Sequence, residues 1–542
     1  MGIFIYMSVS KSVTPKEWLD VYQETLKLVR AFPLAELREV PIRGIPTTCW
    51  VPSEERETHR GWNRDKTITG WFAEGDYEYL RTAECYFLPR DLVAECQYEE
   101  GASDAILGSY DWVGDRDDRC YSLWDAKTQG EPYHMYLLAI ACLIESRLGR
   151  KAYVYGDITR GQCERAVRMA NEHLDMKIHT PDRCDRDRLL ARIDDLPLGE
   201  AKKLQQFVRV YLGKQDAEFG TSIRNHFSEQ ACNEYWEKRF RQYSVSMWGF
   251  DSVLKDYLLW GFDLQKMCSF VRFEDDEGTA HYEDFVGKVM DAKLHHREKD
   301  CVDVLELDPD EEEPYGISTL FAQFVLGGAR NKKVDRYIPI EEIKSALSHA
   351  IGHLCQVDAL IDGYLQRESA QKMPDLLGEL IEEDLQRAIE QDPSYVLNEA
   401  IRSKENALRD ASKKFDITCL EDLQYYETGD SISPDLTDTI GEYFAFYREI
   451  TNEDTYSKLM KGTPEERCRW LPRKNRNILL RDKDWEKVYD DILNHPESFE
   501  RYYPMVRVVA NNKNVQYLVR ALVVNDALYT LALELGADRR KR

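Results

Sequence analysis

The sequence predicts an α+β protein, predominantly α-helical, in which an N-terminal β-α-β portion with loops precedes a multi-helix C-terminal region. Three observations carry this expectation. The opening "GIFIYMSVS" at 2–10 is a short apolar run of strand length. Thr14-Pro15-Lys16-Glu17 then supplies an N-cap, a proline at the first helical position and a capping-box glutamate. Beyond residue 186 one helical pattern follows another, and the strand signal nearly vanishes.

Taken in order, the first helix buries Trp18, Val21, Leu26 and Val29 at near-helical spacing and should stop around Phe32-Pro33. "REVPIRGIPTTCWVP" reads as a second extended segment. Residues 51–130, rich in Gly, Asp, Arg and aromatics, read as loops and short elements. "EPYHMYLLAIACLIESRLG" is apolar on most of its circumference, which predicts a central core helix ending at Gly149. "KAYVYGDIT" reads as a strand, and Thr159 with Gln162 forms the capping signature of the next helix.

Further helices are expected around 186–194, 199–212, 230–242, 250–270, 280–297, 317–328, 340–366, 375–391, 395–413, 435–449, 484–494, 498–510 and 512–535. "DVLELDPDEEEPYG" at 303–316 has the acidic density of a linker or exposed loop. The implied division is an α/β portion at 1–130, a mainly helical domain at 131–302, the linker, and an all-helical region at 317–542. No fixed repeat period is present.

At 542 residues the chain can bury several cores, and 43% hydrophobic with 11% aromatic residues exceeds what disordered chains carry. No basic leader precedes the opening apolar run, and nothing approaches the length of a membrane span. The 13 cysteines include no C-x-x-C, which fits reduced thiols in a cytoplasmic protein. A net charge of −25 repels nucleic acid and anionic membranes from the surface as a whole and favours a basic partner.

Three stretches carry candidate chemistry. In "HAIGHLCQVDALID", His349 and His353 stand at i and i+4, about 40° apart on a helix, and can face one ion with Glu342 on the same flank. The zincin pattern is not met, because Ala350 stands where the general base is required. A helix flank packed on a neighbour accounts for the same letters. In "YVYGDIT", Asp157 lies where a strand meets a helix, an edge at which α/β sheets bind ligands. An ordinary turn residue followed by the Thr159 cap is the simpler account.

The third stretch, "ERCRWLPRKNRNILLRDK" at 466–483, sets Arg469, Arg473, Lys474 and Arg476 around Trp470, with Arg467, Arg481 and Lys483 alongside. Arginines beside an aromatic can hold phosphate and stack on a base. Docking on the protein's own acidic surface, near Asp310 to Glu313, is the alternative. Signatures of P-loop, dinucleotide, serine-hydrolase and EF-hand sites are absent.

The first functional expectation is therefore an acidic protein-binding protein without a catalytic motif. An inhibitor, immunity or defence-associated factor is the context imagined for it, with loop Tyr and Trp as interface anchors and no cofactor. The second is a metal-dependent hydrolase built on a divalent ion at His349, His353 and Glu342. The third is an RNA or nucleotide contact confined to 467–483.

Overall fold

The computed structural model of the protein describes residues 2–59, 67–92, 101–108, 119–275, 277–297, 308–314, 333–370, 416–451 and 453–539. It is an α+β structure, predominantly helical, with strands concentrated towards the N-terminus.

From the N-terminus, β1 (Ile5–Ser10) leads to α1 (Pro15–Ala31). The start of α1 is fixed locally, with Thr14 N donating to Glu17 Oε2 at 2.8 Å and Glu17 N to Thr14 Oγ1 at 3.2 Å. Trp18, Val21, Leu26 and Val29 are buried, as their spacing implies. β2 (Leu34–Ile42) and β3 (Ile45–Pro52) form a hairpin about Arg43-Gly44. Both turn residues have positive φ, 49° and 76°, the conformation whose twist suits two paired strands.

β4 (Arg56–His59), β5 (Thr67–Asp76), β6 (Thr82–Pro89) and β7 (Cys120–Trp124) follow, so the loop reading of 51–130 is corrected. Two of its glycines, Gly70 and Gly75, mark close packing, not turns. A Cβ on Gly70 would lie 2.4 Å from the Leu88 carbonyl oxygen, and one on Gly75 would lie 2.5 Å from that of Arg81, both across the β5–β6 pairing. Trp71, Phe72, Tyr86, Tyr121 and Trp124 are buried, so these aromatics build cores.

α2 (Tyr133–Leu148) is the expected core helix: every residue from Leu137 to Ile144 is fully buried, and the chain leaves it through Gly149 at φ 56°. β8 (Ala152–Gly156) runs into α3 (Arg160–His173), which carries the Thr159–Gln162 capping box. Next come α4 (Arg186–Asp194), α5 (Glu200–Val210), α6 (Ala217–His226), α7 (Glu229–Arg241), α8 (Trp248–Leu259) and α9 (Tyr282–Asp291). After these come α10 (Ile340–Ile351) and α11 (Val357–Ala370), then the two-residue strands β9 (Asp416–Ile417) and β10 (Ser431–Ile432). The chain ends with α12 (Pro434–Ile450), α13 (Asp454–Lys461), α14 (Pro464–Lys474), α15 (Asp482–Asn494), α16 (Lys513–Val524) and α17 (Asp526–Arg539).

Several expected helices are shorter or split. The helix expected at 340–366 breaks after Ile351, where the amides of Leu354 and Cys355 both turn back to the Ile351 carbonyl and buried Ile351 and Val357 pin the corner. The one expected at 250–270 stops near Gly261, which has φ 76°. At 498–510 there are only short turns, and 512–535 divides at Asn525. α6, α13 and α14 were not foreseen. The helices expected at 317–328, 375–391 and 395–413 lie outside the described residues.

Contacts group the chain into two units made of interleaved stretches: 1–25, 91–130 and 134–376 in one, 26–90, 131–133 and 377–542 in the other. They differ from the consecutive segments expected, because 26–90 groups with the C-terminal helices. In the first unit β1 lies between β7 and β8, antiparallel to both, with Met7 opposite Trp124 and Tyr6 opposite Tyr155. β1 and β2 therefore belong to different sheets, although the chain order is β-α-β. The first unit's core includes Trp236 and Trp260, edge to face at 4.9 Å.

In the second unit the sheet order is β3-β2-β5-β4, with β6 also on β5. Cys49 and Val51 of β3 share a core with Trp485, Tyr489, Phe499 and Tyr503. Thr47 and Tyr489 join their hydroxyls at 2.7 Å. No described helix is long and apolar enough to cross a membrane, and the described cysteines are free thiols.

Candidate functional site

The histidine pair is separated by the break in the helix. His349 lies in the last turn of α10, whereas His353 lies in the turn beyond it, and both are exposed. Glu342 is exposed in the first turn. The i, i+4 geometry that would aim both imidazoles at one ion is lost, and among the described residues these three do not converge as metal ligands. Instead α11 folds back on α10, with Lys344 Nζ 2.7 Å from Asp362 and Ser348 Oγ 3.1 Å from Asp358. The two aspartates that a single helix would point away reach the preceding helix.

Asp157 is held by the backbone of β1. Its Oδ2 accepts from Phe4 N at 2.9 Å, while its own amide donates to the Phe4 carbonyl at 3.0 Å. It closes the β1–β8 end as a turn residue, and Gly156 before it has φ 120°.

The neighbouring start of α3 is covered by residues 308–313 of the acidic stretch. Gly161 N donates to the Pro309 carbonyl at 3.0 Å, Thr159 Oγ1 to that of Glu311 at 2.5 Å and Gln162 Nε2 to that of Glu313 at 2.8 Å. Arg160, Arg165 and Arg168 pair with Asp310, Glu313 and Glu312 respectively, the last at 2.7 Å. The described acidic residues thus meet the arginines of α3.

That basic stretch divides into structural and exposed cations. Arg467 is buried; its Nη1 donates to the Leu459 carbonyl at 3.1 Å, at the C-terminal end of α13, and its guanidinium lies over the Phe499 ring. Arg481 binds Asp484 at 2.7 Å, and Lys483 sits over the ring of Tyr77. Trp470 stacks on Tyr503, centroids 5.7 Å apart and planes within 10°.

The remaining cations are exposed, Arg469, Arg473 and Lys474 on the second half of α14 and Arg476 just beyond its C-terminal end. Arg473, Lys474 and Arg476 have no carboxylate partner among the described residues, and Arg469 has only the attraction of Glu465 one turn earlier. α14 is locally well determined: a Thr463–Glu466 capping box and Pro464 start it, while buried Cys468 and Leu471 fix its inner face.

A cavity of about 570 Å³ beside α5 and α7 is lined by Lys202, Tyr235 and Lys238, with Arg239 and Asp256 paired at 3.0 Å. Sequence reasoning passed over one cluster altogether, that of His295, His296 and Glu368. The adjacent "HH" was its only signal, and no local spacing ties it to a glutamate far along the chain.

No family model matches this chain, and neither the curated proteins nor the solved structures include a match.

Proposed function

We propose that this protein contacts the phosphate backbone of a nucleic acid through Arg469, Arg473, Lys474 and Arg476 at the end of α14. The observation that carries this reading is that these four side chains stand exposed with almost no acidic compensation in a chain of net charge −25. Solvent-exposed charges are largely screened beyond about 8 Å at physiological salt, so a polyanion seated here feels the patch more than the net charge of the whole chain.

Trp470 supports the form of the contact. One face of its ring is already committed to Tyr503 and the ring meets Phe499 edge to face, so the four exposed cations carry the contact. The recognition is therefore by phosphate, independent of sequence, and as salt-sensitive as counterion release requires. The protein-interface reading had rested on exposed loop aromatics, and Trp71, Tyr86, Tyr121 and Trp124 are core residues. Titrating a fluorescent RNA strand with wild type and with Arg473→Ala or Arg476→Ala tests the proposal. Each variant should weaken binding to every sequence alike. Unchanged affinity, or tighter binding of an acidic peptide than of RNA at the same site, contradicts it.

A further inference from the structure

His295 and His296 follow α9 through a constrained turn. Lys293 has φ 50°, a left-handed conformation that a non-glycine residue rarely adopts, and its amide donates to the Met290 carbonyl at 2.8 Å. Leu294 is fully buried, and its carbonyl accepts from Ile338 N at 2.8 Å. The backbone leading into the two histidines is therefore fixed. α11 delivers Glu368, and one turn earlier Tyr364 donates to Asp291 Oδ1 at 2.7 Å, tying α11 to the end of α9.

Both imidazoles converge on one carboxylate. His295 Nε2 is 3.0 Å from one Glu368 oxygen and His296 Nε2 is 3.1 Å from the other, with ring centroids 4.1 Å apart. Two donors bound to one tetrahedral ion at about 2.1 Å stand roughly 3.4 Å apart. The observed separations, at hydrogen-bond length, are within a few tenths of an ångström of that, so a small outward shift of the side chains admits an ion. The His295 side chain is only 7% exposed and that of His296 43%, so the group is closed on one side and open on the other.

We propose that His295, His296 and Glu368 form a site for a divalent cation of the zinc class, which takes imidazole nitrogen and carboxylate oxygen together. The three side chains leave a coordination position on the open, His296 side. The site uses none of the residues of the HxxxH stretch.

The test is calorimetric titration of chelator-treated full-length protein with Zn²⁺, repeated with Co²⁺ to read ligand-field absorption bands. The expected result is one equivalent bound, with affinity reduced at least about tenfold in Glu368→Gln and in His296→Ala, and unchanged in His349→Ala and His353→Ala. His296 is half-exposed, so its alanine variant keeps the fold, as circular dichroism would verify, and remains informative if Glu368→Gln does not. Absence of stoichiometric binding overturns the proposal. So does binding that survives both ligand variants, or that disappears with His349 or His353. RNA affinity is a separate readout, because none of these variants touches the cations of α14.

Discussion

Gly161 N donates to the Pro309 carbonyl at 3.0 Å, at a point where a Cβ on Gly161 would lie 2.1 Å from the Asp310 carbonyl oxygen. Backbone meets backbone there without room for a side chain. Gly161→Ala should therefore displace residues 308–313 while leaving α3, whose helix propensity alanine improves, intact. Cleavage by a glutamate-specific protease within 311–313 should accelerate markedly. Global stability should change by less than about 1 kcal/mol, because exposed ion pairs contribute little. Wild-type cleavage rates in the variant would contradict the docking.

Arg192 is buried among three carboxylates. It grips Asp104 with two bonds of 2.8 Å and also reaches Asp182 at 3.1 Å and Glu145 at 3.3 Å. Arg192→Met strands those acids without a cation and should cost about 3–5 kcal/mol in denaturant unfolding. A loss under about 1 kcal/mol would show that the acids are already protonated.

Two buried groups of the same unit give opposing pH dependences. Burial holds His134 down to about 4, below its ordinary value, so its contribution is present above about 6.5 and is lost as pH falls towards 4. Burial pushes Glu145 up to about 7, against the attraction of Arg192, so its contribution is present below its ordinary value of 4.5 and is lost as pH rises through about 7. The two nearly cancel between about pH 4.5 and 6.5, each worth roughly 3 kcal/mol at full span. Denaturation midpoints should fall more steeply on acidification in Glu145→Gln than in wild type, and should rise on acidification in His134→Gln. Parallel curves for all three proteins would remove the effect.

The cations of α14 should separate cleanly by stability. Arg467→Ala removes a buried guanidinium from the Leu459 carbonyl and from Phe499, and should lower stability by about 2–4 kcal/mol. Arg473→Ala and Arg476→Ala, both at exposed positions, should stay within about 0.5 kcal/mol. Thermal melts of the three variants decide the matter.

What was legible in the sequence was local. The Thr14–Glu17 and Thr159–Gln162 caps span three residues each, and their letters specify the bonds that form. The core helix at 133–148 was readable because its apolar run leaves no polar face. Gly70 and Gly75 misled, since a glycine that admits a neighbouring strand carries the same letter as one that makes a turn. His349 and His353 misled because the corner at Ile351 is set by tertiary burial, not by helix propensity. Arg467 could not be told from Arg473, because the carbonyls it binds are presented by the end of another helix. The group of His295, His296 and Glu368 joins residues more than 70 positions apart, beyond any spacing rule.

The salt dependence of RNA binding tests the central claim most directly. With four cations engaged, log affinity against log salt should have a slope near about −3 for a single strand between about 50 and 200 mM salt. Each alanine replacement among Arg469, Arg473, Lys474 and Arg476 should make the slope shallower by somewhat under one unit. A flat salt response, or a slope that the fourfold variant leaves unchanged, would contradict the account.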